Sequence, residues 1–153
     1  MLFAALSANA NADSDPVKTG VAIQSAEGVT DATWTTELLK FQTKQMSELS
    51  TKVGKQTFID HGRSPASWKP MTSYESSFYI VGGKKYGIIK AHVRLASPTT
   101  NFTISTNAIR IMAIQGNDLV SVSCWRMSDR PISVTDSPCK DAIMENLGVS
   151  LAM

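Results

Sequence analysis

The chain has 153 residues, 42% of them hydrophobic and 18% charged, with a net charge of +2. That is enough sequence for one domain with its own core, and the composition is that of an ordinary globular protein. A net charge this small is not that of a nucleic-acid binder, and beyond the N-terminus no apolar run approaches the ~20 residues of a membrane span.

Residues 1–12, MLFAALSANANA, read as the end of a secretory signal peptide. A short apolar run is followed by Ala10-Asn11-Ala12, a small-x-small cleavage pattern, directly before Asp13, although a basic n-region is missing. The expected location is therefore periplasmic or secreted. Residues 13–30 read as a leader in which Val21-Ala22-Ile23 offers one short strand. Residues 31–153 are expected to form a single α+β domain.

The spacing predicts a main helix over 31–53. Trp34, Leu38, Phe41, Met46, Leu49 and Val53 recur every three to five residues and share one broad face. Thr30 or Asp31 is placed to cap its start and Gly54 to end it. Residues 55–73 form a connector that is long for a compact domain.

Two β-hairpins follow. The first runs over 75–95 and turns at Gly82-Gly83, where paired glycines supply the positive φ a tight turn needs. The second turns at Gly116-Asn117. A two-residue turn there pairs Ala113 with Val120, Ile111 with Val122 and Ile109 with Cys124, all small or apolar, so these six are assigned to the core. Arg110, Met112, Ser121 and Ser123 take the opposite, non-core face. Phe102 and Ile104 have the wrong parity for that core face, which calls for a bulge near Thr106-Asn107. After a loop, Pro138 opens a short last helix with Ser137 as its cap, Ile143 and Leu147 inward, and Gly148 at its end.

These elements make an α+β fold, with a long N-terminal helix packed on a four-stranded, or with the leader strand five-stranded, antiparallel sheet and a short C-terminal helix. The helix is expected to lie on the face of Ile109 and Ile111. This order of elements is similar to that of the cystatins. The resemblance is one of architecture, no cystatin inhibitory motif is present, and it implies no function.

Several groups of residues bear on chemistry. An even pair of cysteines in an exported chain points to a disulfide, Cys124–Cys139, tying the last helix to the sheet. Asp60-His61-Gly62-Arg63-Ser64 contains the residue types of a hydrolase, with His61 as general base and Ser64 or another serine as nucleophile, but Asp, Gly, Arg and Ser are also ordinary loop residues. Alternation places Tyr79, Tyr86, Lys90, His92 and Arg94 on one sheet face, a cationic stripe flanked by aromatic rings. Arg126 and Asp129-Arg130-Pro131 form a charged patch inside the disulfide loop. From Lys40 to Arg110 there are eleven Lys or Arg and three acids, whereas the acids are concentrated at the two ends. That asymmetry suits an anionic ligand or an acidic protein partner. No nucleotide, dinucleotide, calcium or paired-histidine metal motif is present, so no cofactor or metal is expected. The expected function is a small exported binding or inhibitor-type module, non-enzymatic, with the small hydrolase at His61 as the alternative.

Overall fold

The computed structural model describes residues 16–60, 69–96 and 103–151. The elements in chain order are β1 (Lys18–Ser25), α1 (Thr36–Asp60), β2 (Lys69–Val81), β3 (Lys84–Ala96), β4 (Thr103–Gln115), β5 (Asp118–Arg126) and α2 (Ser137–Leu147). They form an α+β fold with one antiparallel five-stranded sheet, ordered β1-β5-β4-β3-β2, and two helices. Two expectations are corrected here. The first helix does not open the fold but follows strand β1, and the sheet has five strands, because Lys18–Ser25 pairs along its whole length with β5.

The turns set the register. Gly82 and Gly83 lie at φ 58° and 81°, and Val81 pairs with Lys84 across them. Gly116 lies at φ 63°, and Gln115 pairs with Asp118. This sets Ala113 against Val120, Ile111 against Val122 and Ile109 against Cys124, as the alternation requires. All six are buried. The β3–β4 register runs unbroken from Tyr86–Ala113 to Ala96–Thr103, so no bulge interrupts β4 at Thr106-Asn107. Ile104 stands opposite Leu95 in that continuous ladder. Phe102 lies outside the described residues.

Each face of the sheet carries its own core. On the disulfide face, Ile88, Ile111, Val122 and Cys124 pack with Val134 and with Cys139, Ile143 and Leu147 of α2. On the α1 face, Ile89, Ala91, Met112, Ile114 and Leu119 pack with Trp34, Leu39 and Met46. The main helix therefore lies on the opposite face from Ile109 and Ile111. Met112 and Ser121, assigned outward by alternation, are 0% and 4% exposed. The physical reason is that consecutive apolar residues, Ile111-Met112-Ala113-Ile114, mark a strand covered on both faces, where alternation cannot separate inside from outside. Arg110 and Ser123 are half-buried on the α1 face and hydrogen-bond to each other, Arg110 Nε donating to Ser123 Oγ at 2.9 Å.

Helix α1 begins later and ends later than its spacing suggests. Thr30 and Asp31 belong to a turn before it, in which Trp34 N donates to Thr30 O at 2.8 Å. Trp34 reaches the core from that turn and not from the helix. The buried helical stripe is Leu39, Gln42 and Met46, while Phe41 is 54% exposed. Gly54 is inside α1, which continues to Asp60, so the connector is shorter than expected by more than one helix turn and by the start of β2. The side chains of Leu49 and Val53 lie outside the described residues. Helix α2 has Asp136, not Ser137, at its N-cap, and the Asp136 carboxylate accepts from Ser133 N at 3.0 Å instead of capping. Gly148 ends it at φ 67°, with its N–H donating to Met144 O.

Candidate functional site

The disulfide Cys124–Cys139 joins the end of β5 to the first turn of α2, with a Cα–Cα distance of 5.6 Å and both cysteines fully buried. It closes the loop 127–136 between them. Val134 anchors that loop in the core at 1% exposure. At its other end the loop is pinned to β4, where Asn107 Nδ2 donates to Ser128 O at 2.9 Å. Arg126 Nη1 donates to Pro131 O at 2.9 Å, and Arg130 N donates to Ser128 Oγ at 3.0 Å. The charged residues of the loop are thus presented on a braced backbone.

The loop comes down beside the stripe on β3. Within that stripe the register sets Tyr86 opposite Tyr79 and Ala113, His92 opposite Ser73 and Asn107, and Arg94 opposite Met71 and Ser105. Helix α2 and its core cover one end of this face, and there Tyr86 is 5% exposed. Burial raises the Tyr86 phenol above its ordinary pKa, and the negative charge of Asp31 adds to this. Tyr86 is therefore part of the core and offers no stacking surface. Tyr79 lies on the edge strand at 38% exposure. Lys90, His92 and Arg94 occupy the other, open end.

At that end His92 Nε2 hydrogen-bonds Asp129 Oδ1 of the loop at 3.1 Å, with side chains 41% and 68% exposed. An exposed pair of this kind contributes little to stability and acts mainly to position its members. The Asp129 carboxylate is held below its usual range, first by the Ser105 hydroxyl, then by His92, with the positive charge of Arg94 adding to the effect. Ser105 itself is 8% exposed, and its Oγ is buried without a partner at good hydrogen-bond geometry among the described residues. Its influence on Asp129 is thus one of proximity more than of a well-formed bond.

Serine, histidine and aspartate are together here, and their order matters. Nucleophilic catalysis needs the imidazole between hydroxyl and carboxylate. Here the carboxylate stands between Ser105 and His92, and no hydrogen bond joins Ser105 to His92 among the described contacts. The arrangement orients Asp129 and does not activate Ser105. His61 and Ser64, the centre of the hydrolase alternative, lie outside the described residues, and Asp60 ends α1. Among the described residues no group of three or more His, Cys, Asp or Glu is placed to hold a metal ion, and no helix is long and apolar enough to cross a membrane.

The structure joins two surfaces that the sequence presented separately, the β3 stripe and the disulfide loop. The sequence alone gives no sign of a role at this site for Ser105, Asn107 or Ser128. The β3–β4 register is the signal that could have found Ser105 and Asn107, because it places them directly opposite Arg94 and His92. The comparisons add no relative to this picture: no protein-family model, no curated protein and no solved structure matches the chain.

Proposed function

We infer that the protein is a small exported, non-enzymatic binding or inhibitor-type module, periplasmic or secreted. Its partner is a protein with an acidic surface, met by Lys90, His92 and Arg94 of β3 together with Arg126 at the end of β5 and Arg130 of the loop. The observation that carries this reading is the His92–Asp129 contact, which brings the two basic segments onto one surface. Clustered cations on a braced scaffold steer an acidic partner and fix its orientation more than they add raw affinity. The disulfide is compatible with an oxidising compartment, and the cleavage pattern at Ala10-Asn11-Ala12 supports export.

The test is capture from a native extract on immobilised protein, wild type against Lys90→Glu with Arg94→Glu. Both residues are exposed, so the fold and melting temperature should be unchanged. Capture of the principal partner should weaken and be salt-sensitive in the wild type. Capture at wild-type strength by the double variant would remove this surface. For export, the N-terminus of the processed protein should be Asp13.

A further inference from the structure

Strands β1 and β2 form the two edges of the sheet. Their chemistry differs. β2 carries Lys69, Pro70 and Glu75, residue types that discourage pairing with another edge. From Thr19 to Ser25, β1 has neither a charge nor a proline. Its Val21 and Ile23 are 47% and 66% exposed, and Met144 on the helix that covers the same face is 48% exposed.

The ladder shows which backbone groups of β1 point outward. Ala26 N donates to Asn117 O at 2.7 Å, one step beyond the Ser25–Asp118 pair. In an antiparallel ladder bonded and non-bonded residues alternate. Gly20, Ala22, Gln24 and Ala26 therefore turn their N–H and C=O groups toward β5. Thr19, Val21, Ile23 and Ser25 turn theirs toward the open edge.

We propose that β1 pairs antiparallel with β1 of a second copy of this chain, joining the two sheets into one. Outward-facing residues must meet outward-facing residues, which leaves few registers. The register centred on Ala22 sets Val21 against Ile23 and Thr19 against Ser25, like with like. Ala22 then meets its own copy at the two-fold axis, on the α1 face, where a small side chain fits. Lys18 stands opposite Ala26 of the copy, next to the turn that carries its Glu27, so each end of the pairing holds exposed charges of opposite sign. A shift of two residues either way sets Ile23 against Thr19 or Val21 against Ser25. Antiparallel self-pairing is two-fold symmetric, so the assembly closes at two copies.

The test is sedimentation equilibrium of the full chain from low to high micromolar concentration, with hydrogen exchange at both extremes. The mass should rise from the monomer's 16.6 kDa to twice that value. On dimerisation the amides of Val21 and Ile23 should become protected, while those of Ala22 and Gln24 are protected throughout. Val21→Lys and Ile23→Lys, each at an exposed site, should keep the monomer's melting temperature and abolish the dimer over that range. Three results would each overturn the proposal. One is a monomer at every concentration. Another is a dimer that survives both lysine variants. The third is protection of Val21 and Ile23 in the monomer, which would mean that another part of the same chain covers the edge.

Discussion

Gly87 offers the sharpest test of how α1 and its preceding turn sit on the sheet. A Cβ added at this position would lie 2.7 and 2.8 Å from Cζ2 and Cη2 of Trp34 and 3.0 Å from Cδ1 of Leu39. Carbon atoms in good contact are about 3.5–4.0 Å apart, so the indole must retreat by about 1 Å. It has little room to do so. Trp34 is 1% exposed, it packs edge-on against Phe78 at 5.2 Å, and its carbonyl accepts from Lys85 Nζ at 2.9 Å. Overpacking of this kind costs about 1–3 kcal/mol, and replacing a strand glycine by alanine returns about 0.5–1 kcal/mol. Gly87→Ala should therefore destabilise by roughly 1–2 kcal/mol, a fall in Tm of roughly 2–8 °C for a chain of this size. Urea unfolding and calorimetry measure both. The decisive comparison is a double-mutant cycle with Trp34→Phe, which removes the two indole carbons in closest contact. The cost of Gly87→Ala should largely disappear in that background. An unchanged or raised Tm for Gly87→Ala alone, or an equal loss in the Trp34→Phe background, would refute the reasoning.

Thiol titration of the denatured, unreduced protein should find no free thiol, and removing the disulfide by Cys124→Ser with Cys139→Ser should cost about 3 kcal/mol for a loop of this length. Two free thiols in the wild type would contradict the first expectation, and an unchanged urea midpoint in the variant the second. Asp129 is held below the usual carboxylate range in the folded state, so its contribution is complete above that range and is lost as pH falls through the lowered value. The stability difference between wild type and Asp129→Asn should thus shrink on acidification, and a difference that grew in urea titrations below neutral pH would reverse the assignment. Ile111→Ala, at a fully buried site on the disulfide face, should cost about 2–5 kcal/mol, and a loss within about 0.5 kcal/mol would mean that the β4–β5 register is wrong.

Short-range chemistry made much of this molecule legible from its residues. The paired glycines at 82–83 and Gly116-Asn117 demand tight turns, and a turn of known length dictates the register on either side of it. That is why the pairs Ala113–Val120, Ile111–Val122 and Ile109–Cys124 follow without coordinates, and why Cys124 falls inside the core where its partner can be reached. The five residues Tyr79, Tyr86, Lys90, His92 and Arg94 share a face for the same reason, since alternation along a strand is a property of the backbone alone.

Only the tertiary structure decided what covers each face and where. Alternation tells two faces apart but does not say that both are buried, so it puts Met112 and Ser121 on a non-core face and leaves the side that α1 covers undecided. Trp34 sits at a helix-like spacing from Leu38, yet it enters the core from a turn, because spacing does not reveal where a helix begins. The same limit governs the site. Tyr86 and His92 are equivalent by alternation, but the core of the disulfide face buries one and leaves the other beside Asp129, a residue 37 positions away in the chain. Local residues determined the strands, their turns and their pairing. Long-range packing determined which strand residues remain available to a partner, because burial depends on elements distant in sequence that no local pattern encodes.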